Sequence, residues 1–129
     1  MAVEPDAIRR GSVVLVRVHG DKARPAVVVR SDLLAALSYA TVLPITSELR
    51  FGASMRLDIE ASPDTGLKVA SQVMVDWPQT VRLTDMGRVI GRVDMEAMRA
   101  VTRQLAVVLG IGGTGKPRSS RRTWSPPSD

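Results

Sequence analysis

Apolar residues arrive in short runs along most of this chain, and only near its end do they recur at helical spacing. The first run, Ser12-Val-Val-Leu-Val-Arg-Val18, is rich in β-branched residues and follows Arg10-Gly11, which predicts a strand. His19 to Ala23 supplies a turn, because glycine and aspartate give the backbone the freedom it needs there. A second strand is predicted over Pro25 to Val29 and a third over Tyr39 to Ser47, whose apolar run is Ala40 to Ile45. Between them Ser31-Asp32 caps a short helix through Leu33 to Leu37, at most two turns long.

Ser54 to Glu60 alternates apolar and charged residues strictly, the pattern of a half-buried antiparallel strand. Ala61 to Gly66 is a turn cluster, and Leu67 to Asp76 reads as a strand with Val69, Val73 and Val75 on one face. Trp77-Pro78-Gln79-Thr80 breaks it. Val81 to Leu83 is a short extended piece, and Met86 to Val93 is the last strand. Asp94 then caps a helix in which Met95, Met98, Val101, Thr102, Leu105, Val108 and Leu109 share helical spacing, and Gly110 ends it. The expected fold is α+β and mainly β: five or six antiparallel strands in a small barrel or strongly curled sheet, with a short early helix and a packed C-terminal helix.

The length of 129 residues suits one domain with a real core. Residues 1–112 are expected to form it, and residues 113–129, made of Gly, Ser, Pro and Arg with one Trp, to be a disordered basic tail. The net charge of +5 divides unevenly, since residues 1–112 carry 14 Lys and Arg against 12 Asp and Glu while the tail carries 4 against 1. A polyanion site in the folded body must therefore come from local clustering of cations. With no cysteine and a single histidine, His19, neither disulfides nor a usual zinc site is expected, and no cofactor is called for. No apolar run approaches the roughly 18 residues that span a bilayer, and the N-terminus lacks a signal-peptide plan, so a cytoplasmic protein is expected.

Gly110-Ile-Gly-Gly-Thr-Gly-Lys116 has the spacing of a nucleotide-binding P-loop. Pro117 stands where that motif needs a hydroxyl for magnesium, and the segment leaves a helix instead of joining a strand to one. It reads as a helix stop followed by linker.

Polar chemistry gathers instead around the second and third strands. Arg24 stands immediately before Pro25, and Thr46 and Ser47 end the third strand, so one cation and two hydroxyls are fixed on rigid elements. That set suits a phosphate.

Taken together, Arg10 to Val16 as first strand, Lys22-Ala-Arg-Pro-Ala-Val-Val-Val29, Pro44-Ile-Thr-Ser47, and Met86-Gly-Arg-Val-Ile-Gly91 leading into the final helix resemble the MazF/PemK family of toxin endoribonucleases. The resemblance runs from about residue 9 to about residue 110, and its most specific parts are Arg24-Pro25 and Pro44 to Ser47. It implies a β-barrel-like, SH3-like fold and a homodimer that cuts single-stranded RNA at short sequences without metal. It further implies inhibition by a cognate antitoxin. The family's catalytic arginine falls on Arg24 and its catalytic threonine on Thr46.

Independent chemistry supports both roles. In metal-free RNA cleavage the ribose 2′-OH attacks the adjacent phosphorus, and charge grows on the non-bridging oxygens. Arg24 offers a planar fork for those oxygens and Thr46 a hydroxyl, and the products would be a 2′,3′-cyclic phosphate and a 5′-hydroxyl. An arginine is a poor proton acceptor, so the general base stays open among His19, Asp21 and water. The competing reading of His19 is an exposed turn histidine.

Lys22, Arg50 and Arg82 are candidates for lining an RNA groove, against the alternative of solvated surface. Ser47 either touches phosphate or caps the following turn. Phe51 or Trp77 offers a ring for an unpaired base, while core or dimer packing competes for Trp77. The first loop, Val18 to Ala23, is shorter than in many members of the family. Asp76-Trp77 replaces an acidic-glutamine pair, with Gln72 and Gln79 nearby as substitutes, so the RNA sequence preference is left open. Two alternatives use the same fold: a non-catalytic gyrase inhibitor and an inactive antitoxin-binding or RNA-binding member. A gyrase poison is expected to carry an aromatic residue near the end of its last helix, and this helix ends without one.

Overall fold

A computed structural model describes residues 8–17, 22–52 and 55–112. Seven strands run in the order β1 (Ser12–Arg17), β2 (Ala23–Val28), β3 (Tyr39–Thr46), β4 (Arg56–Ile59), β5 (Ser71–Met74), β6 (Gln79–Arg82) and β7 (Met86–Arg92), and helix α1 (Met95–Leu109) follows. All pair antiparallel in the order β4-β5-β3-β2-β1-β7, while β6 pairs with the first half of β3. The expected mainly-β fold with a C-terminal helix is observed, with one or two more strands than the apolar runs suggested.

The valine runs do not alternate with polar residues because both faces of the central strands are buried. Val13, Val27 and Leu43 face a core shared with Ile45, Ile59, Val73 and Val75 and roofed by Met98 and Val101 of α1. Their neighbours Val14, Val16, Ala26, Val28, Ala40 and Val42 point the other way, into a second core closed by Ile8, Val81 and Met86. The register Val13↔Val27↔Leu43 keeps these two sets apart along the whole sheet.

The sheet is not closed by strand pairing. Residues 60–66 cross the gap between β4 and β7 instead, and Arg92 N–H donates to the Asp64 carbonyl at 2.7 Å. Close approach requires glycine on both sides: a Cβ on Gly91 would lie 2.3 Å from the Thr65 carbonyl, and one on Gly66 would lie 2.1 Å from the Ile90 oxygen. This crossing also explains why the strand expected from Leu67 begins only at Ser71 and why Val69 is exposed.

The early helix is a single 3-10 turn, Asp32–Leu34, with Ser31 Oγ accepting from Leu33 N–H at 3.1 Å. Leu33 is 94% exposed, so the turn buries no apolar face that could extend it. Helix α1 ends as expected: Asp94 accepts from Ala97 N–H at 2.8 Å, and Gly110 adopts φ 72°. Ala97, Leu105 and Val108 pack on the first core, whereas Met95 and Leu109, also expected on that face, are exposed. No described helix is long and apolar enough to cross a membrane.

Candidate active site

Strands β2 and β3 pair as Ala26↔Pro44, Val27↔Leu43 and Val28↔Val42. The β2–β3 pairs end at Ala26↔Pro44: beyond them Arg24 pairs with Val16 of β1, while Ile45 and Thr46 pair with Val73 and Gln72 of β5. Side chains alternate along a strand, so Arg24 shares its face with Ala26 and Val28, and Thr46 with Val42 and Pro44. That is the face of the second core, which ends here. Val16, Val42 and Pro44 give way to Arg24, Lys22 and Gln79 around a pocket of about 140 Å³. Pro25 completes its lining.

Arg24 and Lys22 are exposed and neither enters an ion pair among the described residues. Thr46 is half-buried, and its Oγ1 accepts from Glu48 N–H at 3.0 Å. A hydroxyl that accepts from the backbone still has its proton to give, so Thr46 is held in one orientation with a donor to spare. Thr46, and not Ser47, caps the turn after β3. Ser47 is exposed beside it.

Gln72 lies directly across β5 from Thr46 and is 3% exposed. Its Oε1 accepts from Arg50 N–H at 2.9 Å and from Arg56 Nη1 at 3.0 Å, and its Nε2 donates to Asp58 Oδ1 at 2.9 Å and to the Arg50 carbonyl at 3.3 Å. The amide is fully engaged with protein. Arg56 also donates to the Glu48 carbonyl at 3.1 Å. Residues 48–50, which follow Thr46, are thus pinned by two side chains from the neighbouring strands.

The pinned loop displays the Arg50 side chain and Phe51 to solvent, the latter 85% exposed. Trp77 is 55% exposed, away from any core. Gln79 is half-buried, pairs with Val42 and reaches the pocket. Arg82 is not brought to this place. It pairs with Tyr39, seven residues along β3 from Thr46 or about 23 Å, and its guanidinium meets Asp85 at 3.3 Å. His19, Asp21 and the C-terminal tail lie outside the described residues. No group of three or more potential metal ligands occurs among the described residues.

The sequence profile of the PemK-like, MazF-like toxins of type II toxin-antitoxin systems matches residues 9–109. The chain belongs to this family. A curated relative, the probable endoribonuclease MazF of Mycolicibacterium smegmatis, is 32% identical over 109 residues, which span 82% of this chain and all of the relative. Among solved structures, the Mycobacterium tuberculosis toxin MazF-mt6 is 26% identical, covers 78% of this chain and 98% of its own, and superposes with a TM-score of 0.67. A mycobacterial endoribonuclease in complex with its cognate antitoxin, at 20% identity and a TM-score of 0.69, shares the fold over 81% of this chain and 96% of its own.

The small pocket of this MazF-like chain is lined by Lys22, Arg24 and Gln79 of the expected residues, with Pro44 of β3, and not by Thr46 or Ser47. Arg56 and Asp58 were missed. Their outward positions in an alternating strand read as wet surface, and only the pairing Asp58↔Gln72↔Thr46 shows that this face continues the site.

Proposed function

We propose that this MazF-like toxin is an endoribonuclease that cuts single-stranded RNA through Arg24 and Thr46. The observation that supports the reading is a small pocket lined by Arg24, which enters no ion pair among the described residues, and by Pro44 of β3, the strand that ends two residues on at Thr46, whose hydroxyl proton is free. Both donors are held on strands, so they need little reorganisation as charge develops on the phosphate.

The bond from the 2′-oxygen to phosphorus forms as the bond from phosphorus to the 5′-oxygen breaks, and the leaving 5′-oxygen takes a proton from water, giving a 2′,3′-cyclic phosphate and a 5′-hydroxyl. Arg24 takes two non-bridging oxygens in its fork and Thr46 donates to one of them. The pair supplies the charge stabilisation itself, so the reaction is proposed to run without metal. The base that accepts the 2′-OH proton is sought in His19, Asp21 or water. Lys22 and Arg50 hold flanking phosphates, and Phe51 and Trp77 offer exposed rings on which unpaired bases stack. Gln79 faces the pocket as a reader of the base next to the scissile bond.

Homodimerisation and control by a cognate antitoxin belong to the same reading, as does action on mRNA in the cytoplasm with residues 1–112 as the toxin domain. Exposed Val107, Leu109 and Ile111 at the end of α1 give a second copy an apolar surface. The same end carries no aromatic side chain, which favours the nuclease over a gyrase poison.

Mapping the ends cut from a long defined RNA in EDTA tests the function directly. Cyclic phosphate and 5′-hydroxyl ends at a short recurring sequence are expected; intact RNA, or cutting only after metal is restored, overturns it.

A further inference from the structure

Two charged side chains of β4, Arg56 and Asp58, lie on the face of the sheet that carries Thr46. The pairs Asp58↔Gln72 and Gln72↔Thr46 put those three residues in one row across the strands. Leu57, between the two charges, packs on the first core, so Arg56 and Asp58 both turn to the opposite face.

Arg56 and Asp58 stand two residues apart, about 7 Å along the strand, yet they form no ion pair with each other. The Gln72 amide comes between them. Its Oε1 accepts from Arg56 Nη1 at 3.0 Å, and its Nε2 donates to Asp58 Oδ1 at 2.9 Å. One side chain, 3% exposed, thus holds a cation and an anion at a fixed separation.

What each has left to offer follows from its bonds. Both protons of Arg56 Nη1 are committed, one to Gln72 and one to the Glu48 carbonyl at 3.1 Å. The other edge of the guanidinium, Nε with Nη2, meets no acceptor among the described residues, and that edge is a two-pronged donor suited to a phosphate. Asp58 is exposed, has Oδ1 committed to Gln72 and Oδ2 open, and borders a groove of about 940 Å³ between β4 and α1. A carboxylate oxygen accepts hydrogen bonds and gives none.

A ligand that satisfies both groups carries an anion and a hydrogen-bond donor side by side. A nucleotide does, and the bases differ in the donor. Cytosine, adenine and guanine each present an exocyclic amino group, whereas uracil has only its N3–H, set between two carbonyl oxygens that a carboxylate repels. Thr46 is two strands away from Asp58, about 10 Å, so the nucleotide concerned is a neighbour of the scissile one.

We propose that Arg56 and Asp58 form a second nucleotide subsite, in which the Nε and Nη2 edge of Arg56 holds a backbone phosphate and Asp58 Oδ2 accepts from the amino group of the base, selecting against uracil. The subsite rests on the ribonuclease reading and gives it a source of sequence preference.

The probes are fluorescein-labelled octanucleotides of cytidine and of uridine, 2′-O-methylated throughout so that they cannot be cut, titrated by anisotropy into full-length protein. Asp58→Asn keeps an oxygen for Gln72 but presents an NH2 in place of Oδ2, so the affinity for the cytidine probe relative to the uridine probe is expected to fall roughly fivefold. Arg56→Gln is expected to weaken both probes alike and to flatten the slope of log Kd against log salt by about 0.7, the value for one phosphate of a single strand. An unchanged cytidine-to-uridine ratio in Asp58→Asn overturns the proposal, as does an unchanged salt slope in Arg56→Gln. Cleavage of unmodified RNA, run in parallel, separates the two readings. A protein that binds the probes as expected but cuts nothing would sink the ribonuclease reading and leave the subsite, whereas one that cuts with an unchanged ratio in Asp58→Asn would sink the subsite alone.

Discussion

Gln72 holds both backbone groups of Arg50, accepting from its N–H at 2.9 Å and donating to its carbonyl at 3.3 Å. Because Gln72 also pairs with Thr46 across β5 and β3, one buried side chain ties the proposed donor to the loop that follows it.

Gln72→Ala is therefore expected to lower kcat about tenfold without abolishing it, because Thr46 keeps its hydroxyl but loses the pinned loop that orients it. The change strands the Arg50 backbone, so stability should fall by about 1–3 kcal/mol. Chemical unfolding and steady-state cleavage of one short RNA read both effects. Gln72→Leu behaving as wild type in the cleavage assay would mean that the clamp has no part in the reaction.

Thr46 separates donation from shape. Thr46→Val keeps the volume and removes the hydroxyl, and it should lower the rate ~100-fold or more. Thr46→Ser keeps the hydroxyl and should retain most of the activity. A Val variant as fast as the Ser variant would show that the hydroxyl does not meet the transition state.

Gly66 and Gly91 carry a stability prediction independent of function. A Cβ at either site meets backbone atoms at 2.1–2.4 Å, and backbone cannot swing aside as a side chain would. Gly91→Ala is expected to cost about 1–3 kcal/mol by forcing residues 60–66 off β7. Gly87→Ala is the control for crowding, since its Cβ would meet nothing closer than 3.4 Å. Thermal melts of the two variants should differ by several degrees.

The sequence and the structure agree where local chemistry and packing point the same way. Asp94 and Gly110 bound α1 because a carboxylate and a glycine fit the two helix ends regardless of context. The Arg24 to Ser47 region was legible because its polar groups stand at the ends of runs too apolar to be anything but buried strand. Leu33 to Leu37 misled because a leucine-rich stretch suggests helix, while the chain must turn back into β3 within a few residues. The role of Gln72 was illegible for a different reason. Its partners Arg50, Arg56 and Asp58 come from three separate segments, and only the strand register brings them around one amide.

Arg24 offers the sharpest test of the proposed chemistry, because charge and geometry can be changed separately. Arg24→Lys keeps a cation at the mouth of the pocket but replaces a planar two-pronged donor with a point charge on a flexible stem. Binding of RNA should change little, since the phosphate still meets a cation. The rate should fall, because a lysine cannot hold two non-bridging oxygens at once as the fork does. Arg24→Ala removes both properties and should lower kcat ~100-fold or more, with KM raised as well. The expected signature in single-turnover cleavage is thus a Lys variant with near-normal KM and depressed kcat, and an Ala variant impaired in both. A Lys variant that cleaves at the wild-type rate would reduce Arg24 to an electrostatic anchor for the backbone and require another group to stabilise the transition state.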